Sequence, residues 1–140
     1  MTEPFFIPYD QIRVGDAARR RSLISEDAVT AFSALIGDTN SFHVSDEAAA
    51  RTVFQKRIAH GIHIATFIST LVGQELPGFG TIYCSQTFDF QKPVYLGETI
   101  ETEVTVLEKL PHKRLRMRTL VRDSRGDTIL DGEAVVKTYR

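Results

Sequence analysis

From Ile58 to Gly73 the chain is almost continuously apolar, and this stretch limits the available folds more than any other. Read as a helix from Gly61 to about Glu75, it places Ile62, Ile64, Ala65, Phe67, Ile68, Leu71 and Val72 around nearly its whole circumference. A helix that is apolar all round is one surrounded by protein. It falls short of the ~20 residues that a membrane span needs, so the expectation is a buried helix of a soluble chain. At ~1.5 Å per residue such a helix is about 20 Å long, the width of a sheet of several strands.

The remainder supplies that sheet. After Pro77-Gly78-Phe79-Gly80 the apolar period becomes two. Ile82, Cys84, Gln86, Phe88 and Phe90 share one face of a first strand. Ile100, Thr102, Val104 and Val106, then Leu115, Met117, Thr119 and Val121, then Leu130, Ala134 and Val136 mark three more. Tight turns at Leu110-Pro111-His112 and Ser124-Arg125-Gly126-Asp127 make these four an antiparallel meander, and a fifth strand is expected between Gln11 and Ser22. Upstream, Ser25-Glu26-Asp27 caps a helix that Gly37 stops, and Ser45-Asp46-Glu47 opens a second through about Phe54. The prediction is one α+β domain over residues 1–140, with a sheet of about five strands wrapped round a long central helix. An open sheet leaves edge backbone groups unpaired, and pairing with a second copy hides them, so a homodimer is expected.

Charge excludes some functions. With 17 Lys+Arg against 18 Asp+Glu the formal charge is −1, which lacks the basic footprint of a nucleic-acid binder. The first 70 residues carry 7 basic and 8 acidic groups and the rest 10 of each, so neither half is a charged arm. Cys84 is the single cysteine, expected as an inert buried thiol, and a reducing, cytoplasmic setting suits a chain without a disulfide partner. The start, Met1-Thr2-Glu3-Pro4, has no basic n-region and does not read as a signal peptide.

Two short clusters carry chemical potential. Gly37-Asp38-Thr39-Asn40-Ser41-Phe42-His43 lies between two expected helices, in irregular chain that can aim a carboxylate and an imidazole at one point. Such a pair can share a water, one withdrawing its proton and the other delivering one elsewhere. The same spacing also suits Asp38 and Asn40 as turn caps with His43 packed under a loop. Ile58-Ala59-His60-Gly61 opens the apolar helix, whose first-turn N–H groups have no intrahelical partner and can face an oxyanion. His60 can equally serve there as a cap or a packing residue, and Ser69, two turns on, can bond back to the preceding turn. His60 and His63 without a helical carboxylate make a weak zinc signal, and no metal is expected. Arg114, Arg116 and Arg118 project from one strand face with Glu101 and Glu103 on the expected neighbouring strand, which suits a solvated charge ladder as well as it does phosphate binding, and Arg125-Gly126-Asp127 is most simply a turn.

Taken together, these residues resemble the MaoC-like dehydratases of the hot-dog fold, in particular the single-domain (R)-specific enoyl-CoA hydratases. The family's Asp-x-Asn-Pro-x-His motif reads here as Asp38-Thr39-Asn40-Ser41-Phe42-His43, followed by Phe54 and Ile58-Ala59-His60-Gly61. Leu76 to Tyr83, Phe90-Gln91-Lys92-Pro93-Val94 with Gly97, and Gly132 to Val136 also match recurring stretches. The resemblance implies that Asp38 and His43 form the catalytic dyad on a segment overhanging the central helix. It further implies that the Gly61 N–H binds the thioester oxygen, that Ser69 is a polar active-site residue, and that Asn40 supports the water site. Ser41 departs from the motif's proline, and His63 stands where relatives usually carry an aliphatic residue, which bears on the acyl pocket.

The implied reaction is reversible hydration of a trans-2-enoyl-CoA to an (R)-3-hydroxyacyl-CoA, in fatty-acid metabolism, at sites between the subunits of a dimer. Coenzyme A enters as part of the substrate, and no cofactor is implied. Two enzymatic alternatives share the fold: a dehydratase acting on acyl-carrier-protein thioesters, and an acyl-thioesterase in which water attacks the carbonyl carbon. A non-catalytic subunit of a two-component dehydratase would have no need of the Asp38/His43 dyad.

Overall fold

A computed structural model describes residues 2–139. After a single turn of 3-10 helix at Tyr9–Gln11 the elements are β1 (Ala17–Leu23), α1 (Glu26–Ile36), α2 (Ser41–Val44), α3 (Asp46–Ala50) and α4 (Gly61–Gln74). The strands β2 (Ile82–Gln86), β3 (Asp89–Phe90), β4 (Thr99–Leu110), β5 (Arg114–Asp123) and β6 (Thr128–Lys137) follow.

The helix boundaries follow local chemistry. Ser25 Oγ accepts from the Ala28 N–H at 3.1 Å, Glu26 and Asp27 sit in the first turn of α1, and Gly37 ends it in the left-handed region at φ 74°. Ser45 caps α3 in the same way through the Ala48 N–H at 3.2 Å. Here the expectation is corrected: α3 stops at Ala50, and the chain reaches Phe54 through turns, with Gln55 at positive φ. The motif loop is also more ordered than its composition suggests, because residues 41–44 form the short helical turn α2.

The strands form one antiparallel sheet in the order β1-β4-β5-β6-β2, with β3 pairing on β6. Only β4, β5 and β6 make the expected meander; β2 pairs with β6 instead of β4, and β1 takes the place beside β4. The strand expected over residues 82–90 is two strands, making six in all. The chain crosses β6 closely at Thr87, whose N–H donates to the Glu133 carbonyl at 2.8 Å and whose carbonyl would lie 1.9 Å from a Cβ at Gly132. Glycine at 132 is what permits that crossing.

Inward faces match the alternation. Ile100, Val104 and Val106, Leu115, Met117 and Val121, and Leu130, Ala134 and Val136 are all buried, packed with Ile64, Ile68 and Leu71 of α4 in one cluster. A sheet wrapped round one helix is the hot-dog arrangement that the family resemblance implies. Two readings of burial are corrected. Helix α4 is not covered all round: Ile62, Thr66 and Ser69 are exposed along one flank. Strand β2 lies at the sheet edge, so Ile82 is 52% exposed and Cys84 is exposed too, where an alternating strand had suggested a buried thiol.

The charged face is a ladder, with partners other than those expected. Arg19 pairs with Glu103, Arg21 with Glu101, Arg116 with Glu108 and Glu133, and Arg118 with Asp131. Antiparallel register explains the exchange, since Glu101 lies opposite Arg122 on β5 and opposite Arg21 on β1. Exposed pairs of this kind contribute at most about 1 kcal/mol each, so stability rests on the apolar cluster. Ile68 is fully buried and Leu35 is 82% exposed. We expect Ile68→Ala to cost about 2–5 kcal/mol and to lower Tm by roughly ten degrees, while Leu35→Ala changes stability by less than about 0.5 kcal/mol, both read by thermal denaturation.

Candidate active site

The site is assembled where the overhanging segment 37–45 meets the start of α4. The segment leading into the helix is fixed from two sides: the Ile58 N–H donates to the Phe42 carbonyl at 3.3 Å and the Ala59 N–H to the Val94 carbonyl at 2.8 Å. Arg57 braces it further. Its guanidinium bonds Glu26 in the first turn of α1 at 2.5 Å and Asp46 in the first turn of α3 at 2.8 Å. The helices on either side of the motif segment are thereby tied to one side chain that is itself only 10% exposed.

His43 is buried, and its Nδ1 lies 2.6 Å from the Ile58 carbonyl. A carbonyl can only accept, so Nδ1 carries the proton and the neutral ring leaves Nε2 as a base. Burial pushes the His43 imidazole below its ordinary value; the Ile58 bond opposes this and the neighbouring His60 adds to it. The ring stacks on His60 at 3.8 Å between centroids and leans on Phe42, which in turn touches Phe54. Asp38, by contrast, has a side chain 51% exposed, with Oδ1 accepting from the Asn40 N–H at 3.2 Å. One ligand-type atom each of Asp38, His43 and His60 lies within 4.8 Å of the others, and among the described residues this is the one group that offers three such atoms together.

Of the other expected residues, Gly61 is the first residue of α4, and the preceding His60 provides no side-chain cap. First-turn N–H groups of a helix have no intrahelical partner, so the Gly61 N–H is available to a ligand. The glycine has a second reason to be there, since a Cβ would lie 3.0 Å from the Phe90 ring. Gly61 lines a cavity of about 270 Å³ with Phe54, Ile64, Phe90 and Val94. Asn40 precedes α2 and contributes its backbone, its carbonyl accepting from the His43 N–H at 2.9 Å; no side-chain cap bond forms. Ser69 is not gathered with Asp38 and His43. It lies further along α4, on the exposed flank, in a groove of about 350 Å³ with Ile62, Ala65, Tyr83, Cys84 and Phe88.

Comparison with known proteins identifies the family. A family model described as a MaoC like domain matches residues 13–125. The chain belongs to the MaoC-like family. It is 42% identical to a 3-hydroxybutyryl-CoA dehydratase of Methylorubrum extorquens over 92% of this chain and 82% of that protein. It is 40% identical to an (R)-specific enoyl-CoA hydratase of Aeromonas caviae over 90% of this chain and 95% of that protein. The unliganded structure of an R-hydratase from Pseudomonas aeruginosa superposes with a TM-score of 0.92 at 43% identity, covering 95% of this chain and 86% of that one.

Within this MaoC-like chain, two participants were not singled out by their spacing as part of the site. Arg57 directly follows Lys56 in the irregular chain between α3 and α4, and nothing local marks it as a brace. His60 stood in the quoted Ile-Ala-His-Gly run but read as a cap or a packing residue, and only the fold puts its ring against His43. His63, the departure at an aliphatic position, lines neither cavity; it stacks between Phe32, at 4.3 Å, and Phe67, at 5.8 Å.

Burial also pushes His63 below the ordinary imidazole value, with His60 adding to the effect. In the unfolded chain both His43 and His63 titrate near about 6.5. Below that pH the unfolded state binds more protons than the folded one, so stability falls as pH drops toward the depressed folded values. The expected outcome is a Tm that declines from pH 7 to pH 5, with a shallower decline in His63→Leu, measured by thermal denaturation at constant ionic strength.

Proposed function

We propose that this chain, acting as a single domain of residues 1–140, is an (R)-specific enoyl-CoA hydratase, a hydro-lyase that adds water reversibly to trans-2-enoyl-CoA. The observation that carries the proposal is the approach of Asp38 and His43 to each other beside the start of α4, in a chain about 40% identical to proteins with that activity. The relatives at 38–42% identity are named for CoA substrates, which favours coenzyme A as the carrier. The acyl-carrier-protein dehydratases are more distant, at 29% identity for one from Arabidopsis thaliana.

In the proposed mechanism His43 Nε2 removes a proton from water as the water oxygen attacks the β carbon. The C=C electrons move toward the α carbon and the thioester oxygen, where the Gly61 N–H stabilises the developing charge. The proton taken from water passes through the dyad from His43 to Asp38 and on to the α carbon, which leaves both groups as they began. Every atom added comes from one water, so the scheme calls for no metal or cofactor. Asn40 holds the dyad loop through its backbone, and Ser69 contributes to the wall of the acyl channel.

We place that channel between two copies of the chain. Support comes from the open flank of α4 and the unpaired edge of β2, where Ile82, Tyr83, Phe88 and Phe90 leave apolar surface uncovered. A second β2 edge would pair the free backbone groups and close the groove over Ser69. A reducing, cytoplasmic setting and a part in fatty-acid metabolism belong to the same proposal.

Three outcomes test it. Crotonyl-CoA should lose its enoyl absorbance and give a product oxidised only by a dehydrogenase specific for the (R) enantiomer. Release of free thiol without that change would instead make the chain a thioesterase. Asp38→Asn and His43→Gln should each lower kcat by roughly 10²–10⁴-fold with an unchanged circular dichroism spectrum; near-full activity in either variant would overturn the assigned roles.

A further inference from the structure

His60 is a buried polar group for which the proposed chemistry has no use. Its Nε2 lies 3.0 Å from the backbone carbonyl of Asp38 and 3.3 Å from Ser33 Oγ of α1. Because the carbonyl accepts, Nε2 carries the proton and donates it across the 22 residues of chain that separate the two positions. The same nitrogen is 3.9 Å from the Asp38 carboxylate, and the ring lies face to face with His43. One side chain thus touches both members of the dyad, from the position that immediately precedes Gly61.

The surroundings leave little freedom for that ring. His60 is 3% exposed, with Phe32 of α1 edge-on at 5.3 Å. The titratable groups facing it are Asp38 from the loop, His43 from α2 and His63 from its own helix, while α1 contributes Ser33 and Phe32, neither charged. Its Nδ1 is buried with no hydrogen-bond partner. A buried donor-acceptor ring left half unsatisfied is costly, and leucine or methionine would fill the volume without that cost. A packing role alone does not account for histidine here.

We infer that His60 is a positioning residue for the dyad, holding Asp38 through its backbone carbonyl and stacking on His43 so that both groups address one water. This rests on the hydratase reading above. Asp38 is the exposed member of the pair, on a loop with no helical hydrogen bonds of its own, so it is the member whose placement needs an outside restraint. The His60 bond acts on its backbone, which leaves the carboxylate free for the substrate. Positional errors of about 1 Å at a reacting group cost on the order of a hundredfold in rate, so the loss should appear in turnover.

The experiment compares crotonyl-CoA hydration by His60→Leu, His60→Gln and His60→Asn with the unsubstituted protein. The amide nitrogen of glutamine reaches the place of Nε2, and that of asparagine does not. The expected result is a fall in kcat of at least tenfold for His60→Leu and His60→Asn with KM changed less than about threefold, and recovery of kcat to within about threefold of the unsubstituted protein in His60→Gln. Equal kcat in the glutamine and asparagine variants would overturn the inference, as would full activity in His60→Leu. Should His60→Leu fail to fold, the two amides still decide it, since both are polar and differ in reach. Absence of hydration by the unsubstituted protein would instead overturn the hydratase reading.

Discussion

Burial of one stripe of α4 against the concave sheet is the constraint on which the rest depends. Ile64, Ile68 and Leu71 are almost fully removed from water against β4, β5 and β6, and each such side chain contributes about 1.5–3 kcal/mol. With that stripe fixed, the rotation of the helix is fixed, and so is the use of its other sides. His60 and His63 face Phe32 of α1, Phe67 one turn on stacks against His63, and Ile62, Thr66 and Ser69 face outward. The helix start is set by the same register, which brings the Gly61 N–H to the end of the core beside the motif segment.

The elements legible in the sequence are those whose physics is local. The Ser25 cap and the Gly37 stop delimit α1 because capping and left-handed backbone depend on adjacent residues. The inward faces of β4, β5 and β6 follow from alternation, since all three strands have neighbours on both sides. Alternation failed at β2 for a reason that no local window contains. Its pattern, Ile82, Cys84 and Gln86, is that of a half-buried strand, yet it lies at the sheet edge, and pairing with β6 instead of β4 is a property of the whole topology.

The site divides along the same line. Asp38, His43 and Gly61 could be found because the motif keeps them in short, patterned runs. What holds them could not. Arg57 gathers Glu26 and Asp46 from 31 and 11 residues away, and no periodicity links those positions. The His60 bond to Asp38 spans two short helices, α2 and α3, and the irregular chain around them. Supporting contacts of this kind join segments that meet only after α4 has docked, so their partners are set by the fold.

The two sides of α4 therefore carry different parts of the function. Toward α1 the helix is dry and aromatic, and there burial depresses the imidazoles of His43 and His63, keeping the first neutral and able to accept a proton at ordinary pH. Toward β2 it is open and apolar, with Ile62 49% exposed and Phe90 at the mouth near Gly61. A substrate with a polar reacting end and an apolar tail has one orientation that satisfies both: its carbonyl at the helix start and its tail along the open flank. In the proposed dimer the tail lies on surface that a single chain leaves in water, and the edge of another sheet covers it. Under that proposal substrate enclosure and subunit pairing draw on the same uncovered strip, so a charge introduced at Ile82 should weaken both together.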